Sequence, residues 1–140
     1  MVEVLIVASP GGHLKVAEEL FDNCEFKTKI ITTRSHSKQI TTYETVTEFN
    51  RNWKLLLTMF DAWQILKRTN PKIIVSTGAG VAIPFFILGL MTNKTLVFVE
   101  SISRINTLSL TGKLSYYFVD KIYVRNIELA KKYKKAVYVK

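Results

Sequence analysis

The sequence predicts an α/β fold, a doubly wound parallel sheet built as one domain over residues 1–140. Three observations carry that prediction. An apolar strand that empties into a glycine-bearing turn and then a helix occurs twice, at residues 2–21 and 72–90. Strand and helix patterns alternate along the rest of the chain, as crossover helices between parallel strands require. The polar motifs fall at the C-terminal ends of the predicted strands, where sheets of this kind bind ligands.

Residues 2–8 form an apolar run bearing one charge, Glu3, the pattern of a strand buried on both faces. Pro10-Gly11-Gly12 ends it, and Leu14, Val16, Ala17, Leu20 and Phe21 then recur at helical spacing over 13–21. Residues 27–33 alternate as a second strand, the polar stretch 34–42 reads as an exposed loop, and 43–49 holds a short third strand. A helix over 53–68 carries two tryptophans and stops at Thr69-Asn70-Pro71; its apolar arc is wider than one core-facing stripe requires. Residues 72–75 are again a buried strand, followed by the small-residue turn Ser76-Thr77-Gly78-Ala79-Gly80. The apolar helix 81–90 has Pro84 in its first turns, where a missing amide costs least. Residues 95–99 make a strand that delivers Glu100 at its end, followed by a polar loop over 101–109. A helix near 110–118, a strand at 121–124, a helix at 126–133 and a strand at 136–139 complete the pattern, with no repeat or internal linker.

Charge is unevenly placed. Net charge is +9, yet residues 1–50 hold 5 Lys/Arg against 7 Asp/Glu while residues 51–140 hold 15 against 4. Such a surplus attracts nucleic acid, anionic lipid or phosphorylated ligands, and is equally an ordinary solvated surface. Nucleic acid is not the expected partner, because no basic-aromatic strand motif or recognition-helix pattern accompanies the charge. The single cysteine, Cys24, leaves no intrachain disulfide and no cysteine-rich metal site, which suits a reducing, cytoplasmic compartment. No secretory signal is read at the start. The apolar run 81–91, broken by Pro84 and Gly89, is far shorter than the roughly 20 residues of a spanning helix, so it is expected to be buried or interfacial.

The candidate site residues come with alternatives. Gly11 and Gly12, between a buried strand and a helix, let backbone amides and the helix dipole hold an anion such as phosphate, or simply make a tight turn. Neither a G-x-G-x-x-G nor a Gly-Lys-Ser/Thr pattern is present, which weakens the reading of a stand-alone nucleotide-binding module. His13 stands in the first helical turn, where its imidazole either takes a proton from a substrate or caps the helix. His36, in a polar loop, reads as solvated. Gly78 and Gly80 either line the same cleft or let helix 81–90 pack tightly on the sheet. Glu100 is a candidate base or sugar-hydroxyl ligand and Arg104 a bidentate phosphate ligand, unless the two form an ion pair that orders their loop. Trp53, Phe60 and Trp63, with Arg51, Lys54, Lys67 and Arg68, give one helix the look of a membrane-interface element or a partner contact, ahead of plain burial because the flanking charges are all positive.

Taken in order, Ser9-Pro10-Gly11-Gly12-His13-Leu14, Ser76-Thr77-Gly78-Ala79-Gly80-Val81-Ala82-Ile83-Pro84, Val99-Glu100-Ser101 with Arg104, and Leu108-Ser109-Leu110-Thr111-Gly112-Lys113-Leu114 resemble one family. It is that of the membrane-associating subunit of the two-part N-acetylglucosaminyltransferase of lipid-linked oligosaccharide assembly, with its bacterial capsule and exopolysaccharide relatives. The group is similar to the N-terminal half of the peptidoglycan glycosyltransferase MurG. The resemblance implies a Rossmann-like N-terminal half of a GT-B enzyme that binds a polyprenyl-diphosphate-linked acceptor, while a separate small subunit binds the UDP-sugar. It implies catalysis by His13, with Glu100 as second candidate, and acceptor or phosphate contacts from Gly11, Gly12, Gly78, Gly80 and Arg104. No metal and no cofactor is implied. Relatives often carry an N-terminal membrane anchor, whereas this sequence opens directly on its first strand, so peripheral attachment to the cytoplasmic face of a membrane is expected. Relatives also often show a Gln-Trp pair where this sequence reads Val124-Arg125-Asn126, and the chain stops on a strand at Val139-Lys140.

Overall fold

The computed structural model describes residues 2–33, 44–46, 54–78 and 80–140. Among these described residues seven strands, all parallel, form one sheet in the order β3-β2-β1-β4-β5-β6-β7. They are β1 (Val4–Ala8), β2 (Thr28–Thr33), β3 (Glu44–Val46), β4 (Ile73–Gly78), β5 (Thr95–Val99), β6 (Lys121–Val124) and β7 (Ala136–Tyr138). Between them run α1 (Gly12–Phe21), α2 (Lys54–Thr69), α3 (Ala82–Met91), α4 (Leu110–Ser115) and α5 (Ile127–Lys132). The order reverses between β1 and β4: the chain leaves β1 toward β2 and returns on its other side as β4. A crevice beyond the carboxyl ends of β1 and β4 follows from that reversal.

Two apolar layers flank the sheet. Leu5, Val7, Ile74, Leu96, Phe98 and Ile122 face one way and pack with Ala62, Ile65 and Leu66 of α2, Phe85 and Phe86 of α3, and Leu129 of α5. Val4, Ile6, Ala8 and Val75 face the other way and pack with Leu14 and Ala17 of α1. The alternation along each strand is the period-two rule for side chains. The run 81–90 is therefore core, with Ala82, Pro84, Phe85, Phe86 and Gly89 buried. Among the described residues no helix is long and apolar enough to cross a membrane.

One expectation changes. The turn predicted at 76–80 is strand as far as Gly78. A register shift at Val7/Ala8 sets Val7 opposite Ser76 and Ala8 opposite Gly78, carrying Ser76 and Thr77 into the buried sheet. Their hydroxyls are satisfied there: Ser76 Oγ accepts from the Gly78 amide at 3.2 Å, and Thr77 Oγ1 donates to the His13 carbonyl at 2.6 Å. Small polar residues extend a buried strand when their polar groups find partners. The predicted loop 34–42, part of the segment 43–49 and Trp53 lie outside the described residues.

Candidate functional site

The parallel pairing of β1 with β4 brings together the two glycine-bearing segments that the sequence left 64 residues apart. His13, in the first turn of α1, lies against the end of β4. Its Nδ1 is 2.8 Å from the Thr77 carbonyl oxygen, which can only accept, so the ring nitrogen donates. Thr77 Oγ1 returns a hydrogen bond to the His13 carbonyl at 2.6 Å. Gly78, at φ 137°, sits under the imidazole, and a Cβ there would collide with its Nδ1 and Cε1. Both the backbone conformation and the close approach require glycine.

The His13 ring opens on a cavity of about 810 Å³ on the α1 side of the sheet. Gly12, Val16 and Leu20 of α1 form one wall. Thr77, Val97, Val99 and Tyr123 form the floor, and Glu100, Ser101, Ile102, Arg125 and Lys140 stand around the edge. The floor exists because β5 and β6 alternate: Leu96, Phe98, Ile122 and Val124 enter the helix-rich core, which turns Val97, Val99 and Tyr123 to the opposite face. Among the described residues α1 is the helix that packs on this face, and it covers β1 and β4 while leaving β5 and β6 open.

Glu100 is buried, and its carboxylate belongs to the loop that follows it. Oε1 accepts from the Ser101 amide at 2.9 Å; Oε2 accepts from the Ser109 amide at 2.8 Å and the Ser109 hydroxyl at 3.0 Å. Ser109 in turn caps α4, its Oγ accepting from the Gly112 amide at 3.0 Å. A Cβ at Gly112 would strike Glu100 Oε2, so helix and carboxylate approach as closely as glycine permits. The Glu100–Arg104 pairing considered from the sequence is replaced by these serine bonds, and Arg104 is exposed two residues beyond the cavity's Ile102. Gly11 is exposed at the N-cap of α1, and Gly80 precedes α3 without lining the cavity. Phe60 and Trp63 are exposed on α2, whose other side packs into the helix-rich core, away from the cavity.

Thr77 and Ser109 stand inside the quoted motifs, and Arg125 at the Gln-Trp departure, without a role of their own from the sequence; Tyr123 carries no signal there at all. Each matters through a neighbour distant in sequence or through strand facing, and a list of motifs has no register. The alternation of Val97 and Val99 with Leu96 and Phe98 was the one available sign that β5 has two apolar faces to cover.

A family model described as "Oligosaccharide biosynthesis protein Alg14 like" matches residues 18–140, beginning just after the Gly11-Gly12-His13 loop. The rat UDP-N-acetylglucosamine transferase subunit ALG14 is 31% identical over 103 residues, covering 66% of this chain and 48% of the relative. The fission yeast (Schizosaccharomyces pombe) subunit of the same name is 38% identical over 74 residues, covering 49% of this chain and 35% of the relative. The chain thus spans about half the length of these curated relatives, or less. Among solved structures, Acinetobacter baumannii MurG superposes on 89% of this chain with TM-score 0.67 at 12% identity, using 41% of its own length. UDP-GlcNAc 2-epimerase from Methanocaldococcus jannaschii superposes on 99% of this chain with TM-score 0.76 at 11% identity, using 46% of its length. At such identities the likeness shows the fold: one Rossmann-like half of a two-domain architecture.

Proposed function

Because the chain belongs to the Alg14-like family of oligosaccharide biosynthesis proteins, we propose that it is the acceptor-side subunit of a split GT-B glycosyltransferase. In this reading a separate small subunit binds the UDP-sugar, and sugar passes to a polyprenyl-diphosphate-linked saccharide at the cytoplasmic face of a membrane. The observation that carries the proposal is the one-sided cavity. Its wall and floor hold His13, Thr77 and an apolar sheet face at a topological switch point. A second Rossmann-like half would supply the opposite wall, as the partial coverage of MurG suggests.

The chemistry assigned to this half is proton removal. His13 Nδ1 donates to Thr77, so a neutral ring carries its lone pair on Nε2. That nitrogen takes the proton of the acceptor hydroxyl as the hydroxyl oxygen forms its bond to the sugar's anomeric carbon. The bond from that carbon to the diphosphate breaks, and UDP leaves with the electron pair, held by donors of the partner. His13 is preferred to Glu100 because both oxygens of the Glu100 carboxylate already accept hydrogen bonds from Ser101 and Ser109. The acceptor's diphosphate is assigned to the Gly11-Gly12 turn at the start of α1, with Gly78, Gly80 and Arg104 as further contacts outside the cavity lining.

Reconstitution tests the reading. The chain is co-purified with a UDP-sugar-binding subunit and assayed with UDP-N-acetylglucosamine and a polyprenyl-diphosphate acceptor. Transfer should require both chains, and His13→Ala should lower kcat by about 10²–10⁴. Full activity of this chain alone, or inactivity of the pair across a panel of UDP-sugars and lipid acceptors, refutes it.

A further inference from the structure

We propose that Thr77 is a positioning residue: it fixes His13 in the tautomer that carries hydrogen on Nδ1 and presents the Nε2 lone pair to the cavity. The inference deepens the assignment of His13 as proton acceptor and rests on it for its functional meaning. Its structural content stands on three contacts.

A neutral imidazole has one N–H, and the two tautomers place it on opposite sides of the ring. At His13 the choice is made by an oxygen that cannot donate. The Thr77 carbonyl lies 2.8 Å from Nδ1, so the hydrogen belongs there. The bond also survives proton uptake, because an imidazolium donates from both nitrogens. The ring can therefore gain a proton at Nε2 and return it without moving. This is how a carbonyl or carboxylate behind a histidine sets the job of the nitrogen in front.

The carbonyl must itself be held. Thr77 Oγ1 donates to the His13 carbonyl at 2.6 Å, closing a two-bond ring between the first turn of α1 and the last residues of β4. Both bonds are partly buried, where loss of one partner is felt most. The third contact is steric. Gly78 has no Cβ where the imidazole edge rests, and any side chain there would push the ring off the Thr77 carbonyl. Register sets the arrangement: the shift that pairs Ala8 with Gly78 brings Thr77 level with the start of α1.

A mere staple between strand and helix would also use these bonds, but the nitrogen bearing the hydrogen would then have no bearing on turnover. Two measurements separate the readings. The first is ¹H–¹⁵N NMR of histidine-labelled full chain at a pH where the rings are neutral, with His13→Asn identifying the His13 signals among the two histidines. The wild-type ring should show a protonated Nδ1 and a bare Nε2. Thr77→Ser, which keeps the hydroxyl, should preserve that pattern. Thr77→Val and Gly78→Ala should shift the ring toward the other tautomer. The second is kinetics of the reconstituted pair, in which Thr77→Val should lower kcat about tenfold with little change in acceptor KM, and Thr77→Ser should restore most of it. A wild-type ring protonated on Nε2 overturns the proposal whether or not any variant folds, as does a folded Thr77→Val with wild-type tautomer populations and kcat. Full activity of His13→Ala instead removes the proton-acceptor assignment, while an Nδ1–H signal would still stand; the two failures are therefore distinguishable.

Discussion

Glu100 meets the loop that follows it through both of its carboxylate oxygens. A carboxylate at the end of a buried strand looks like a base, and only 4% of this residue is exposed. Removing a charge from water is costly unless donors replace the water, and here three do: two backbone amides and the Ser109 hydroxyl. The carboxylate thereby closes the loop 101–109 and, through Ser109, sets the cap of α4. Glu100→Gln discriminates between closing the loop and acting as base. Its amide nitrogen, wherever it points, faces a group that donates to the native oxygen, so the variant should lose about 1–3 kcal/mol. For a chain of this size the melting temperature should then fall by roughly 3–10 °C. Calorimetry of the isolated chain measures this. An unchanged melting temperature combined with abolished transfer would assign Glu100 the role of base.

At the scale of the element, α2 accounts for its own excess of apolar residues. Thr58, Ala62, Ile65, Leu66 and Thr69 make the buried stripe, while Leu56, Phe60 and Trp63 lie on the opposite side with Lys67 over the Trp63 ring at 5.1 Å. Phe60 is 55% exposed and Trp63 48%, their rings 6.2 Å apart. A helix with one apolar stripe for the core and a second, cation-flanked one for the outside suits a membrane interface. Flotation with anionic liposomes should recover the protein, and Phe60→Ser with Trp63→Ser should release most of it at unchanged melting temperature. Higher salt should weaken recovery by screening the cations. Equal recovery of the double variant would assign the stripe to another use. The width of this arc was legible in the sequence, as were β5 and β6 to the residue, because period and length decide such elements locally. The 76–80 segment was misread for the complementary reason. Ser76, Thr77 and Gly78 carry turn chemistry, and only pairing with β1 makes them strand.

At the scale of the molecule, the alternation of strands and helices foretold a parallel sheet but not which motifs would meet. Strand order 3-2-1-4-5-6-7 depends on the crossover after β3 returning past β1, and no local pattern encodes that step. The consequence is a lopsided layer structure, with α2, α3, α4 and α5 on one face and α1 on the other among the described residues. Val97, Val99 and Tyr123 are left half-buried at the bottom of a cavity continuous with His13. If the proposed donor subunit covers this face, its binding energy adds to the stability of this chain, because ligands of the folded state alone shift unfolding by mass action. At about 100-fold excess of partner over Kd the gain is about 2.7 kcal/mol, or roughly 8 °C in melting temperature for a chain of this size. Ile102 tests the location, since it is 61% exposed in the isolated chain yet lines the cavity. Ile102→Asp should leave the isolated melting temperature within a degree or two and remove at least half of the partner-induced rise, because a carboxylate buried there without a donor opposes docking. A full rise in the variant would put the partner on another face, and no rise in the wild type would mean that no such subunit binds the folded chain.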